Sequence, residues 1–480
     1  MLALRATHRS RIRFSFSDRG WAVVLLMQNN SLSVSEGAFI SSLRNTLVRS
    51  RTETLALDEY YEGGHRLEQL GLSIPPELET FSVVLNWPRT TVDAIERRLD
   101  VQGFRAGDGK PDTALWDVWQ YNNMDERASF AHTDALALAR SYVCIGTNDK
   151  DRDFPLITVE SPYEMIALRD SRTHRVTAAL RSYDPKDGTG EDQRITLYMP
   201  NYTRWLIRDG ARWVDEFERD QHNLGAVPVV PLVNRNRATR RLNGSILEGV
   251  SEMKDIIPIA DSASRALTGA QLLQETMIAP ARGVLGATKG DFMDQNGQQV
   301  SAWQTYFGAV WALSNKDAKT FQFDAADMKN IETIVNVYAR LASGVGSLPV
   351  EYYGLNTENP PSADGQRAGE TRLIKNAERK QTPFGHSWET VMRFVQRFRT
   401  GAWDLSNTRL ETMWRDAGTP TVAQMTDAVV KRFQVGLIDW ETAQERIGET
   451  PTAIEQMKER RQADLASSFS AGVQRFVEEV

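Results

Sequence analysis

Six histidines, one cysteine and scattered acidic pairs are the groups in this chain with chemistry to offer, and none falls into a spacing that performs it. His8, His65, His132, His174, His222 and His386 stand far apart and read as surface or capping residues rather than ligands. No His-Glu-x-x-His run and no paired cysteines occur, so zinc-site spacings are missing and no metal is expected. Gly286-Ala287-Thr288-Lys289-Gly290 lacks the spacing of a phosphate loop, and no cofactor is expected. No Gly-x-Ser-x-Gly elbow is present. Carboxylate pairs such as Asp215/Glu216 carry no specificity, because glycosidase-type chemistry depends on a separation in space. Two basic groups remain. Arg235, Arg237, Arg240 and Arg241 form one; Arg372, Lys375 and Arg379 share one face of a helix as the other. They read as solvated faces or inter-subunit ion pairs, with weak phosphate contact as the functional alternative.

Composition narrows the field. The chain has 480 residues, enough for two to four domains, with 41% hydrophobic and 25% charged residues. Its 57 basic and 63 acidic residues give a net charge of −6. A duplex-DNA reader carries a basic excess, so tight contact over the whole surface is excluded. A conduit for DNA is compatible, since strong attraction would stall a sliding polymer. Cys144 is alone, which rules out a disulfide within the chain and reads as a buried strand residue. No apolar run approaches the roughly 20 residues of a membrane span. Residues 1–20 are rich in Arg and Ser, and an apolar stretch runs from Trp21 to Met27. The expectation is a start at Met27, with residues 1–30 an extension that is disordered or not translated and 1–26 without a defined role.

The elements that must position any site follow from texture, and they make an α+β, mostly helical chain. Residues 31–140 read as helices. Val92, Ile95 and Leu99 fall on one face, Pro88 and Gly103 punctuate that helix, and Ala128–Arg140 forms another. Residues 141–233 change to period two, with short β-branched or aromatic runs and an Asp209-Gly210 hairpin signal, in a β-rich part that extends to 245. Residues 246–279 return to helix, with Pro258 expected to kink it. Residues 280–324 are mixed, and 325–342 are helical. Residues 343–363 read as a long loop of Gly, Ser, Asn, Thr and Pro, of a length usually tied to function. Helices with breaks follow over 364–419, then a helical C-terminal part over 420–480.

Five motifs occur in a fixed order. Tyr60-Tyr61-Glu62-Gly63-Gly64-His65 comes first, followed by Asn86-Trp87-Pro88-Arg89 through Gly103-Phe104-Arg105. Val227-Pro228-Val229-Val230-Pro231-Leu232-Val233-Asn234 is next. The fourth runs from Leu348-Pro349 through Tyr353-Gly354, Asn359-Pro360-Pro361-Ser362 and Arg372-Leu373-Ile374-Lys375 to Phe384-Gly385 and Trp388. Trp414-Arg415-Asp416 through Gly448 is the last. Together they resemble portal proteins of tailed bacteriophages that infect actinobacteria, a siphophage family similar to the Bacillus phage type. The resemblance spans roughly residues 30–460 by these motifs.

The resemblance implies a structural protein without chemistry of its own: a dodecameric ring at one capsid vertex of the virion, assembled in the host bacterial cytoplasm. Double-stranded DNA would pass through it non-specifically during packaging and ejection. It implies a helical wing part (31–140), a β-rich wing part (141–245), a first stem helix (246–279), a clip (280–324) and a second stem helix (325–342). A tunnel loop (343–363), wing-crossing helices (364–419) and a crown (420–480) complete it. Gly344, Gly346, Ser347, Asn356, Thr357, Asn359 and Ser362 would form the channel loop, where small neutral side chains touch phosphates weakly and release them. The implied partners are further copies of the chain, the terminase large subunit, a head-completion or adaptor protein, and the major capsid and scaffolding proteins. A head–tail adaptor is the alternative, although adaptors are usually far shorter. An enzyme with an unrecognised carboxylate site is the second alternative.

Overall fold

A computed structural model describes residues 13–15, 22–24, 34–65, 83–107, 111–148, 150–170, 172–183, 194–210, 212–235, 249–277, 282–286, 319–322, 328–355, 363–403, 409–418, 422–449, 454 and 456–461. Two compact units emerge, Met1–Trp414 and Arg415–Val480.

In the first unit, helices α1 (Val34–Glu62), α2 (Trp87–Glu96), α3 (Thr113–Tyr121) and α4 (Met124–Ala137) precede the main β region. Asn86 caps α2 through its side chain and Pro88 sits in the first turn, where a missing N–H costs nothing. Val92, Ile95 and Leu99 are all buried, as their spacing predicts. Two short pairs of strands lie apart from the larger sheets. β1 (Arg13–Ser15) pairs with β2 (Ala22–Val24), and β3 (Val101–Arg105) pairs with β14 (Glu411–Trp414). The second pair is a correction: Gly103 and its neighbours read as a helix stop, yet they form a strand whose partner is about 300 residues away, a pairing invisible to local periodicity.

The β region divides into two antiparallel sheets. The strands β4 (Arg140–Gly146), β5 (Leu156–Glu160) and β11 (Val229–Val233) form one in the order β11-β4-β5. The strands β6 (Met165–Arg169), β7 (Val176–Tyr183), β8 (Arg194–Tyr198), β9 (Thr203–Asp209) and β10 (Arg212–Asp215) form the other as a sequential meander. Asp209 and Arg212 pair across the predicted Asp-Gly hairpin. Ile40, Leu43 and Leu47 of α1, at spacings 3 and 4, bury themselves on that meander with Leu180, Ile195, Leu197 and Leu206. Cys144 is buried in β4, with its thiol 3.6 Å from the Met165 sulfur. Ala139 takes a left-handed backbone (φ 74°) and ends the helical stretch before Arg140, which therefore begins β4 instead of closing a helix.

Beyond the sheets, a 3-10 turn (Glu252–Asp255) leads into α5 (Ile257–Met277), which packs against α6 (Met328–Gly346). Pro258 starts α5 rather than kinking it, because in a first turn its ring has no preceding carbonyl to displace. Between them, β12 (Arg282–Leu285) and β13 (Lys319–Gln322) pair antiparallel. The rest of 280–324 lies outside the described residues, as do most of the N-terminal extension and residues 462–480.

Helix α7 (Ala363–Thr400) is continuous where breaks were expected, and it runs through Pro383. An internal proline costs about 3 kcal/mol. Phe384, Trp388, Val391, Met392 and Val395 behind it are fully buried and offset that cost, at roughly 1.5–3 kcal/mol for each large side chain. Trp388 meets Trp119 edge-on at 5.1 Å in the main core.

The second unit holds α8 (Val422–Gln434) and α9 (Trp440–Ile447), the latter capped by Asp439 at its start and Gly448 at its end. Lys458 pairs with Glu441 at 2.9 Å.

Candidate functional site

The residues singled out for chemistry do not converge. His132 is buried and accepts a hydrogen bond from the Trp388 indole at 2.9 Å, and burial pushes its pKa down to about 3, so it stays neutral. His65 is buried against Tyr60, with burial again lowering its pKa. His222 accepts from the Leu224 amide, and His174 sits exposed in a turn. Asp215 and Glu216 turn to different arginines, Arg204 and Arg194. Among the described residues no cluster could hold a metal ion, and no helix is long and apolar enough to cross a membrane.

The basic residues separate into two environments. Arg372, Lys375 and Arg379 are exposed on one face of α7, as their spacing predicts. Arg372 donates to the Gly344 carbonyl at 3.1 Å, and Lys375 pairs with Glu378 at 2.6 Å. Arg235 takes a left-handed backbone (φ 48°) just after β11 and pairs with Asp255 at 2.9 Å. Arg237, Arg240 and Arg241 lie outside the described residues.

Sequence reading missed the buried partner of this group, Lys380. Its side chain is 9% exposed, and its ammonium lies 2.5 Å from Glu252 and donates to Asn234 at 2.7 Å. Burial lowers its pKa, and the facing Glu252 carboxylate pulls it back up. The end of β11, the turn before α5 and the middle of α7 are thereby pinned together. The signal was available: Lys380 falls at helical spacing with Leu373, Ala377 and Phe384, all buried.

Of the expected channel loop, Gly344 and Gly346 belong to α6, which runs through Gly346 instead of giving way at 343. A side chain at Gly346 would collide with the Tyr353 hydroxyl, so close packing rather than flexibility selects glycine there. Ser347 then turns the chain with φ 58°, and a 3-10 turn (Val350–Tyr353) ends at Gly354 with φ 87°. Tyr353 is buried, shares a hydrogen bond with Thr91 at 3.0 Å and meets Trp87 edge-on. Tyr352 donates to Glu370 at 3.2 Å, and Arg98 pairs with the same carboxylate at 3.2 Å. Residues 347–355 are thus anchored. Asn356, Thr357, Asn359 and Ser362 lie outside the described residues.

Another departure from ordinary burial is on α6. Ala339 and Ala342 face the core, while Ile334, Val337, Leu341 and Val345 are 46–52% exposed along one line of the helix. Spacings of 3 and 4 make them a continuous apolar stripe about three turns long. Among the described residues nothing covers it.

Residues 41–465 match the family "Phage portal protein, SPP1 Gp6-like". The chain is 36% identical over 428 residues to the portal protein of Mycobacterium phage D29, covering 86% of this chain and 85% of that one. It is 34% identical over 411 residues to the portal protein of Mycobacterium phage L5, covering 83% of each. Both relatives come from mycobacteriophages, in agreement with the expected actinobacteriophage branch. Among solved structures, chains of the neck and the virion of a gene transfer agent particle align at 13% identity with a TM-score of 0.46, over 83% of this chain and 94% of theirs.

Proposed function

This chain belongs to the SPP1 Gp6-like family of phage portal proteins, and from that premise we propose that it closes with further copies of itself into a ring whose hole passes double-stranded DNA. The observation that carries the reading is the α6 stripe. Four large apolar side chains half-exposed on one helix face are unusual for a monomer and mark a protein interface. A heterologous contact repeated by rotation closes a ring, and a second copy of the chain is the occupant that family membership supplies. A dodecamer is the number we propose.

In this reading α5 and α6 form the stem, and 280–324 form the clip that docks the terminase large subunit and later a head-completion or adaptor protein. Residues 31–245 and α7 make the wing, which meets capsid and scaffolding proteins. The C-terminal unit is the crown. The protein resides in the virion at the portal vertex, and its role there is structural rather than enzymatic. DNA contacts are sparse, in keeping with the acidic net charge and with Lys375 already paired to Glu378. Because residues 347–355 are anchored through Tyr353, the channel segment narrows to 356–362.

Negative-stain imaging of the purified chain is expected to show rings with a central hole and twelve-fold symmetry. A stable monomer would refute the proposal. Deleting residues 356–361 is expected to leave rings intact while lowering DNA packaging or retention in phage. Normal phage yield from that deletion would remove the segment from the channel.

A further inference from the structure

We infer that a cavity beneath the entry to α5 is a binding site for a phosphate-sized oxyanion, held by Arg140. The cavity has a volume of about 150 Å³ and lies between α1, the start of β4 and the residues leading into the 3-10 turn. Arg140 lines it. The residue is 5% exposed, and among the described residues its side chain makes no hydrogen bond and no ion pair.

That isolation contrasts with other buried or partly buried arginines of the fold. Arg204 has a side chain 4% exposed and meets both Asp215 and Glu36. Arg181 meets Glu160 and Glu164. Arg98 meets Glu370. A guanidinium cannot shed its proton to escape burial, as a lysine or histidine can, so it requires a counter-charge. For Arg140 the described residues supply none, and the cavity beside it leaves room for one from solution.

The lining is suited to an anion. The Ser251 hydroxyl oxygen already accepts from the Met253 amide at 3.1 Å, so its proton is available to a ligand. Lys254 brings a second positive charge to the lining and is exposed. Leu57 and Leu138 form an apolar wall, which lowers the local dielectric and strengthens an ion pair at Arg140. Glu53 is the single carboxylate among the lining residues, and it is exposed, where water and salt screen it. Gly249, with φ 89°, brings the backbone so close to the Ala139 carbonyl that a side chain there would collide with it, which holds the cavity floor in place. Duplex DNA cannot reach an arginine this deeply placed, so the ligand is a free oxyanion.

The test is the thermal stability of the full chain at pH 7.5 in 20 mM sodium phosphate against sodium chloride of equal ionic strength. Phosphate is expected to raise Tm by about 3 °C, the size that selective binding to the folded state gives at a moderate excess of ligand. Arg140→Met is expected to abolish the rise, while Arg379→Met on the exposed face of α7 keeps it. Should Arg140→Met fail to fold, titration of the unaltered chain with phosphate by calorimetry decides, with saturable binding of one phosphate per chain expected. No rise with the unaltered chain, an equal rise in Arg140→Met, or stabilisation by duplex DNA but not by phosphate overturns the inference. Imaging the same samples keeps this question apart from ring formation, because phosphate binding succeeds or fails whatever the ring number.

Discussion

Two regions of this molecule break the usual rule of apolar inside and polar outside, and they break it in opposite directions. The junction of β11, the 3-10 turn and α7 buries charge: Lys380 and Glu252 are each 9% exposed at the side chain. The outer line of α6 exposes apolar bulk at Ile334, Val337, Leu341 and Val345. The junction is complete within one chain, since every buried charge there meets an opposite charge or an amide oxygen. On the proposed reading, the α6 line is complete only when another chain covers it. Buried polarity therefore reports how one chain holds its shape, and on the proposed reading exposed apolarity marks where the next copy docks.

The comparison is broken most severely by charging the α6 line. Val337→Asp with Leu341→Asp is expected to abolish rings while leaving a folded chain, because both side chains are about half exposed and lie outside the buried core; circular dichroism and negative-stain imaging check both halves. Intact rings from this variant would mean that α6 does not form the interface.

At the junction, Glu252→Gln removes the partner and leaves a buried ammonium. The expected loss is about 3 kcal/mol of stability in urea unfolding. A loss below 1 kcal/mol would show that water replaces the carboxylate freely.

A third charge, partly buried, sharpens the contrast because its side-chain partner is the Ser161 hydroxyl and not an opposite charge. Burial, with the Asp58 charge nearby, pushes the Asp134 carboxyl up to about 6 from 3.8. The folded state holds its proton more tightly than the unfolded state, so stability falls as pH rises between those values and the penalty is fully present above pH 6. Asp134→Asn is accordingly expected to stabilise the chain by roughly 2 kcal/mol at pH 7.5 and to give no gain near pH 3.5. A gain that persists at pH 3.5 would point to packing instead of charge.

The smallest effect belongs to the exposed face of α7. Arg379→Gln is expected to change stability by less than about 0.5 kcal/mol and to leave rings intact, as for other solvated charges.

Much of the framework was legible in local pattern. The period-two runs of 141–233 became two antiparallel sheets, and the spacings of α2 and α7 gave their buried faces, whereas α6 buries Ala339 and Ala342 and leaves Leu341 exposed. What escaped was set by distant parts of the chain. β3 has β14 as its partner, and no window around Gly103 contains it. Arg140 sits at the end of an alanine-rich helical run, but the left-handed Ala139 and pairing with Val233 make it the first residue of a strand. Breaks expected around Pro383 vanish because the aromatic and aliphatic side chains beyond it are buried. The site itself was half legible: the basic face of α7 and the small-residue texture after α6 could be read, whereas Lys380 and the anchoring of Tyr353 depend on partners supplied by the fold.

The central claim is that one chain is an incomplete object that closes into a ring. Mass photometry of the purified full chain tests it most directly. The account predicts a dominant species at about twelve times the 54.1 kDa chain mass, collapsing to the single-chain mass in the Val337→Asp, Leu341→Asp variant. An unaltered chain found only at 54.1 kDa, across concentrations at which the variant behaves identically, would contradict it.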